Sequence, residues 1–229
     1  MGAFGVYKID DEQQLLHHLD RIGSQEYVLE RFINGRIVTY DGLTDRQGRV
    51  VFQSSLIYGA GVLDSVRGLD TFFYSAMDVP DGLAALGRRI ADLFGIRRKF
   101  FHFEFFESGG QRIPIEINAR PPGGSILDMM DYGADCDLYA DYVRMLEGKS
   151  IQAPAAKRYY VGFAGRKEKS YALSHADVLS RFGHRLVEEG ENPPLYWAGM
   201  GRHRYIFRSP MESEILSIRD QILALRGPG

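Results

Sequence analysis

The chain has 229 residues, 45% hydrophobic and 25% charged, with 28 Lys plus Arg against 30 Asp plus Glu for a formal charge of −2. That is room for one sizeable domain or a domain with an appended lobe, and the charge balance asks for neither a nucleic-acid nor a membrane-surface partner. No run of about 18 apolar residues forms a candidate membrane span, and the lone Cys136 excludes an internal disulfide, which suits a reducing, cytoplasmic setting.

The chain opens on Gly2-Ala3-Phe4-Gly5 followed by Val6-Tyr7-Lys8-Ile9. A glycine loop running into a short strand is an unusual way to begin a domain, and it leads us to expect further sequence upstream. Asp10 or Asp11 can cap a helix with Leu15, Leu16, Leu19 and Ile22 on its apolar face. Tyr27-Val28-Leu29 reads as a strand leading to the turn at Asn34-Gly35, and residues 36–44 and 49–58 read as a hairpin around Asp45-Arg46-Gln47-Gly48. Thr71 to Ser75 reads as another strand. Pro80 opens a helix with the stripe Leu83, Leu86, Ile90 and Leu93, ended by Gly95.

Residues 99–106 and 112–118 read as strands joined through Ser108-Gly109-Gly110, and residues 126–132 and 137–147 as helices. Beyond Pro154 we expect strands near 159–165, 185–189 and 203–208, and helices near 175–182 and 211–226. The alternation of hairpins and helices predicts an α+β (mixed α/β) fold, with residues 1–152 as the main domain and 153–229 as a smaller C-terminal α/β subdomain packed on it.

The chemistry concentrates between Phe101 and Gly124. Side chains alternate along a strand, so Glu116, Asn118 and Arg120 share one face, and His102, Glu104 and Phe106 share one face of the preceding strand. Glu104 and Glu116 are symmetric about Gly110, and a hairpin centred there makes them cross-strand partners with Cβ atoms about 4.5–5.5 Å apart. Facing carboxylates repel, and a hard cation such as magnesium offsets that, with Asn118 as a further oxygen ligand. Arg120 is placed to meet a phosphate or another anion. Paired carboxylates also serve glycoside hydrolysis, and cross-strand pairing does not fix the carboxyl separation. That chemistry, however, does not require the in-phase Asn and Arg. His102 reads as a packed, hydrogen-bonded histidine. Cys136, flanked by Asp135 and Asp137, reads as structural.

Glu116-Ile117-Asn118-Ala119-Arg120-Pro121-Pro122-Gly123-Gly124, with Glu104 twelve residues before Glu116, resembles the metal-binding signature of the ATP-grasp superfamily, and in particular its carboxylate–amine ligases. Val28 to Gly35 looks like the family's adenine-binding hinge, and Gly2 to Ile9 is similar to the far end of its glycine loop over the phosphates. The resemblance covers roughly residues 1–150. It implies an ATP-grasp-like antiparallel sheet with flanking helices, and ATP with Mg2+ (or Mn2+) as cofactors. Glu104, Glu116 and Asn118 would hold the metal and Arg120 would stabilise the transferred phosphoryl group. Glu30 with the backbone of Arg31, Phe32 and Ile33 would seat adenine. Asp41 is the expected substitute for an acid that holds the ribose hydroxyls, because Ile37 stands where that acid is usual. Lys8 is the sole lysine near the glycine loop, while the family places its phosphate-binding lysines upstream.

The reaction so implied joins a small-molecule carboxylate to an amine through an acyl-phosphate, with a second copy of the chain or a separate upstream lobe as partner. Two other readings are a nucleotide- or partner-binding module without catalysis, and a carboxylate-pair hydrolase, which would leave Glu30 to Gly35 without a task.

Overall fold

The computed structural model describes residues 6–23, 26–59, 68–151 and 156–227. In chain order its elements are α1 (Glu12–Ile22), β1 (Arg36–Thr44), β2 (Val50–Ser54), β3 (Leu56–Tyr58), β4 (Thr71–Ser75), α2 (Asp81–Leu93), β5 (Phe100–Ser108) and β6 (Gln111–Asn118). There follow α3 (Ile126–Ala134), α4 (Leu138–Leu146), β7 (Tyr160–Arg166), α5 (His175–Phe182), β8 (Leu186–Glu191), a 3-10 turn (Pro194–Tyr196), α6 (Trp197–Met200), β9 (His203–Ser209) and α7 (Glu212–Leu223).

The nine described strands form one sheet in the order β6-β5-β1-β3-β4-β7-β9-β8, with β2 also on β1, and every pairing is antiparallel. The expected mixed α+β architecture is therefore present. The sheet does not stop at the 152/153 division. β7 pairs with β4 from Thr71↔Gly165 to Ser75↔Val161, so the segment after residue 152 continues the same sheet.

Alternation along the strands separates two apolar faces. On one, Leu43, Phe52, Phe73, Phe163 and Ile206 pack beneath Ile126, Leu127, Met129 and Met130 of α3. On the other, Val38, Tyr40, Phe101, Phe103 and Phe105 pack beneath Leu83, Ala84 and Ile90 of α2. Further along that second face, Phe72, Tyr74, Ala164 and Phe207 lie under Val178 and Phe182 of α5 and Ile215, Ile218 and Ile222 of α7. Gly87 lets α2 come down onto Tyr40, since a Cβ there would stand 1.9 Å from the ring.

Two expectations are corrected, and α1 forms as expected. Val28 and Leu29 are not in a strand and stand 83% and 72% exposed, because that run pairs with no edge of the sheet. α1 forms where its spacing predicts, capped by Asp11 on the Gln14 amide, yet its apolar stripe buries no residue. α7 stops at Leu223 instead of continuing to 226: the chain turns to pair with the segment before α5, through Ala172 N to Ala224 O at 2.8 Å and Arg226 N to Ser170 O at 2.9 Å. No described helix is long and apolar enough to cross a membrane.

Candidate metal centre

The hairpin of β5 and β6 turns through Gly109 and Gly110, both at positive φ (56° and 75°), as a two-residue turn of the primed kind requires. From it the register runs Ser108↔Gln111, Glu107↔Arg112, Phe106↔Ile113, Phe105↔Pro114. Continued without interruption, that register would set Ile115 opposite Glu104 and send Glu116 and Asn118 to the face of Phe103 and Phe105. A one-residue slip exchanges the two faces of a strand. The ladder shifts between Glu104 and Phe105, leaving Ile115 as an extra residue, and beyond it Glu104 pairs with Glu116, Phe103 with Ile117 and His102 with Asn118. Pro114 has no N–H to offer the ladder and sits at the irregularity, where prolines within sheets are tolerated. The expected carboxylate pair is thus present, though a bulge and not a hairpin centred on Gly110 makes it.

Across the other edge of β5, Thr39 lies opposite Glu104 and Asp41 opposite His102. Asp41 Oδ1 is 2.5 Å from His102 Nδ1, and His102 Nε2 is 2.8 Å from Glu104 Oε1. The second oxygen of Asp41 accepts from the Thr39 hydroxyl, which itself accepts from the Leu56 amide at 2.9 Å. Burial pushes the His102 imidazole down, but the carboxylates of Asp41 and Glu104 on either side outweigh it and raise it to about 10. His102 is therefore an imidazolium that fixes the orientation of Glu104. This corrects the expectation for Asp41. It is completely buried with both oxygens engaged inside the protein, and it is not presented to a sugar.

Glu104 is half-buried and Glu116 exposed, and among the described residues no lysine or arginine pairs with either. The Asn118 side-chain nitrogen is buried without a hydrogen-bond partner. An amide can be turned to present its oxygen instead, so a cation bound between the carboxylates and the Asn118 oxygen would resolve both the orphaned amide and the like-charge pair. The donor set, two carboxylates and one amide carbonyl, fits a hard divalent ion.

The sequence profile of the ATP-grasp domain matches residues 1–128. The chain belongs to the ATP-grasp family. Its fold is similar to that of N5-carboxyaminoimidazole ribonucleotide synthetase from Thermus thermophilus, at 16% identity and a TM-score of 0.66 over 96% of this chain and 59% of that one. It is also similar to the phosphoribosylaminoimidazole carboxylase ATPase subunit from Aquifex aeolicus, at 15% identity and TM-score 0.63 over 85% of this chain and 57% of that one. The L-amino acid ligase from Bacillus licheniformis gives 16% identity and TM-score 0.63 over 93% of this chain and 59% of that one. At such identities the likeness is one of fold, and the chain spans less than two thirds of each of these proteins. No curated protein sequence matches the chain.

The other residues singled out in this ATP-grasp chain are less closely gathered. Arg120 lies beyond the end of β6, exposed, with Nη1 donating to Pro121 O at 2.9 Å. Glu30 and Arg31 are exposed, Phe32 is 57% exposed and Ile33 half-buried, on an irregular run that enters β1. That run is fastened to the hairpin tip by Ser108 Oγ donating to Asn34 O at 2.8 Å. Lys8 Nζ pairs with Asp10 at 2.9 Å and stands 4.8 Å from the Phe32 ring centre, which brings the segment before α1 against the run that enters β1. The glycine loop at residues 2–5 lies outside the described residues.

Sequence reasoning missed Lys157. Its Nζ donates to Ser54 Oγ at 3.1 Å and to Ala76 O, and burial lowers it to about 8 against the opposing pull of Asp41 and Asp78. Ser54 is the cross-strand partner of Asp41, so Lys157 reaches the same sheet face. Nothing in its local sequence marks it, since β2, β4 and the segment before β7 meet only in the folded sheet.

Proposed function

We propose that this chain is the ATP-binding portion of a magnesium-dependent ligase that joins a small-molecule carboxylate to an amine through an acyl-phosphate. The observation that carries this reading is the bulge at Ile115, which sets Glu116 opposite Glu104 on one face with Asn118 next in line. Glu104, Glu116 and Asn118 would hold Mg2+, or Mn2+ in its place. When bound, the ion neutralises phosphate charge and polarises the transferring phosphoryl group. His102, clamped by Asp41, keeps the Glu104 carboxylate aimed. Arg120 is the cation assigned to the charge that develops on the transferred group. Glu30 and the backbone of Arg31 to Ile33 seat the adenine, with Phe32 and Lys8 flanking it. The carboxylate and amine are small molecules, with a second copy of the chain or a separate lobe as the proposed partner. Family membership and the donor chemistry of the site support this reading.

Titration calorimetry with ATP and Mg2+ tests it. The native chain should bind in a magnesium-dependent way, and Glu104→Gln with Glu116→Gln should abolish that binding; unchanged binding in the double variant overturns the site. A second reading is nucleotide binding without turnover, since the paired carboxylates and Asn118 would hold a metal and ATP whether or not transfer follows. ADP release over a panel of carboxylates and amines distinguishes the two.

A further inference from the structure

At the opposite end of the sheet from Glu104, three side chains from separate elements converge: His175 at the start of α5, Glu189 of β8 and His203 of β9. They lie on the other face as well, because Tyr205 pairs through Ala164 and Phe72 to the Phe101–Phe105 side of the sheet. One ligand atom from each lies within 4.8 Å of the others. Glu189 Oε2 is 3.0 Å from His203 Nε2 and 3.9 Å from His175 Nε2. Ligand atoms about 2.0–2.2 Å from a tetrahedral zinc ion are roughly 3.3 Å apart, and the two separations bracket that value.

We propose that His175, Glu189 and His203 form a binding site for a divalent transition metal of the zinc class. Two imidazoles with one carboxylate make a nitrogen-and-oxygen donor set suited to such an ion. Among the described residues no lysine or arginine pairs with Glu189, whose partners are the two histidines. Its negative charge is therefore available to a cation.

The surroundings support ligation. His175 Nδ1 is 2.9 Å from the hydroxyl of the buried Tyr205, which leaves Nε2 turned towards Glu189 and fixes the ring as an outer hydrogen bond fixes a metal-ligating histidine. His175 is exposed and His203 half-exposed, so an ion can enter and a fourth position stays open to water or a small anion. The bound ion ties the N-terminus of α5, capped by Ser174 and Asp177, to the β8–β9 edge.

The test uses the full chain stripped of metal. Zn2+ is titrated against a chromophoric chelator, and Co2+ is added separately to read its visible spectrum. One equivalent of Zn2+ should bind and raise Tm, and Co2+ should give the strong absorption of a four-coordinate site. His175→Asn and His203→Asn should each weaken binding at least about tenfold, and Tyr205→Phe about tenfold, with circular dichroism unchanged. Glu104→Gln with Glu116→Gln should leave it intact, which separates this site from the magnesium site. Equal zinc affinity in the native chain and the double histidine variant, a weak six-coordinate Co2+ spectrum, or loss of zinc only when His17 and His18 are replaced would overturn the proposal.

Discussion

Glu104 and Glu116 face each other because Ile115 is bulged out of β6. Like charges directly opposite in a sheet destabilise it, so this pair costs stability that a bound cation returns. Glu116→Gln should raise the metal-free stability by roughly 0.2–1 kcal/mol while removing most of the Tm increase that Mg2+ with ATP gives the native chain. Thermal unfolding with and without Mg2+ and ATP reads both. A variant that is less stable without metal would show that the pair is not in conflict.

Gly87 tests the packing beneath that site. Alanine is favoured over glycine inside a helix by about 1 kcal/mol, but its Cβ would enter the Tyr40 ring, itself 5.1 Å from Phe101. Overpacking of a tight core costs about 1–3 kcal/mol and should outweigh propensity. Gly87→Ala is expected to lower the urea midpoint. Gly109→Ala, which meets open space at φ 56°, should cost about 1–2 kcal/mol from its backbone alone.

Lys157 gives a pH dependence. Its folded value of about 8 lies below its ordinary 10.5, so between these values the unfolded chain holds more protons. Stability from this group therefore rises as pH increases from about 8 to 10.5 and is flat below, where both states are charged. Relative to Lys157→Met, the native chain should gain on the order of 1–3 kcal/mol across that window. Denaturant unfolding of both at about pH 7.5 and about pH 10 checks it; parallel curves would refute it.

Cys136 should resist modification. Burial and then the Asp131 carboxylate push its thiol to about 12, so thiolate at neutral pH is scarce by on the order of a thousandfold relative to an ordinary cysteine. Iodoacetamide labelling of the native fold should be correspondingly slow. Asp131→Asn, which keeps an acceptor for the Leu138 amide, should speed it about tenfold.

Local pattern in the chain was enough to place most elements and to name the chemistry of the hairpin. Hydrophobic spacing located α2 and α5 within about a residue, glycine and proline marked the turns, and Glu-x-Asn beside a distant Glu pointed to a metal site. Periodicity carries that much because it depends on residues a few positions apart. What depends on pairing across the chain was not legible. The bulge that puts Glu116 on the face of Glu104, the withdrawal of Asp41 into a buried contact with His102, the arrival of Lys157 beside Ser54 and the meeting of His175, Glu189 and His203 all arise from strand order and register. A one-residue shift of register reverses every side chain it touches, and contacts between distant segments of the folded chain set that register.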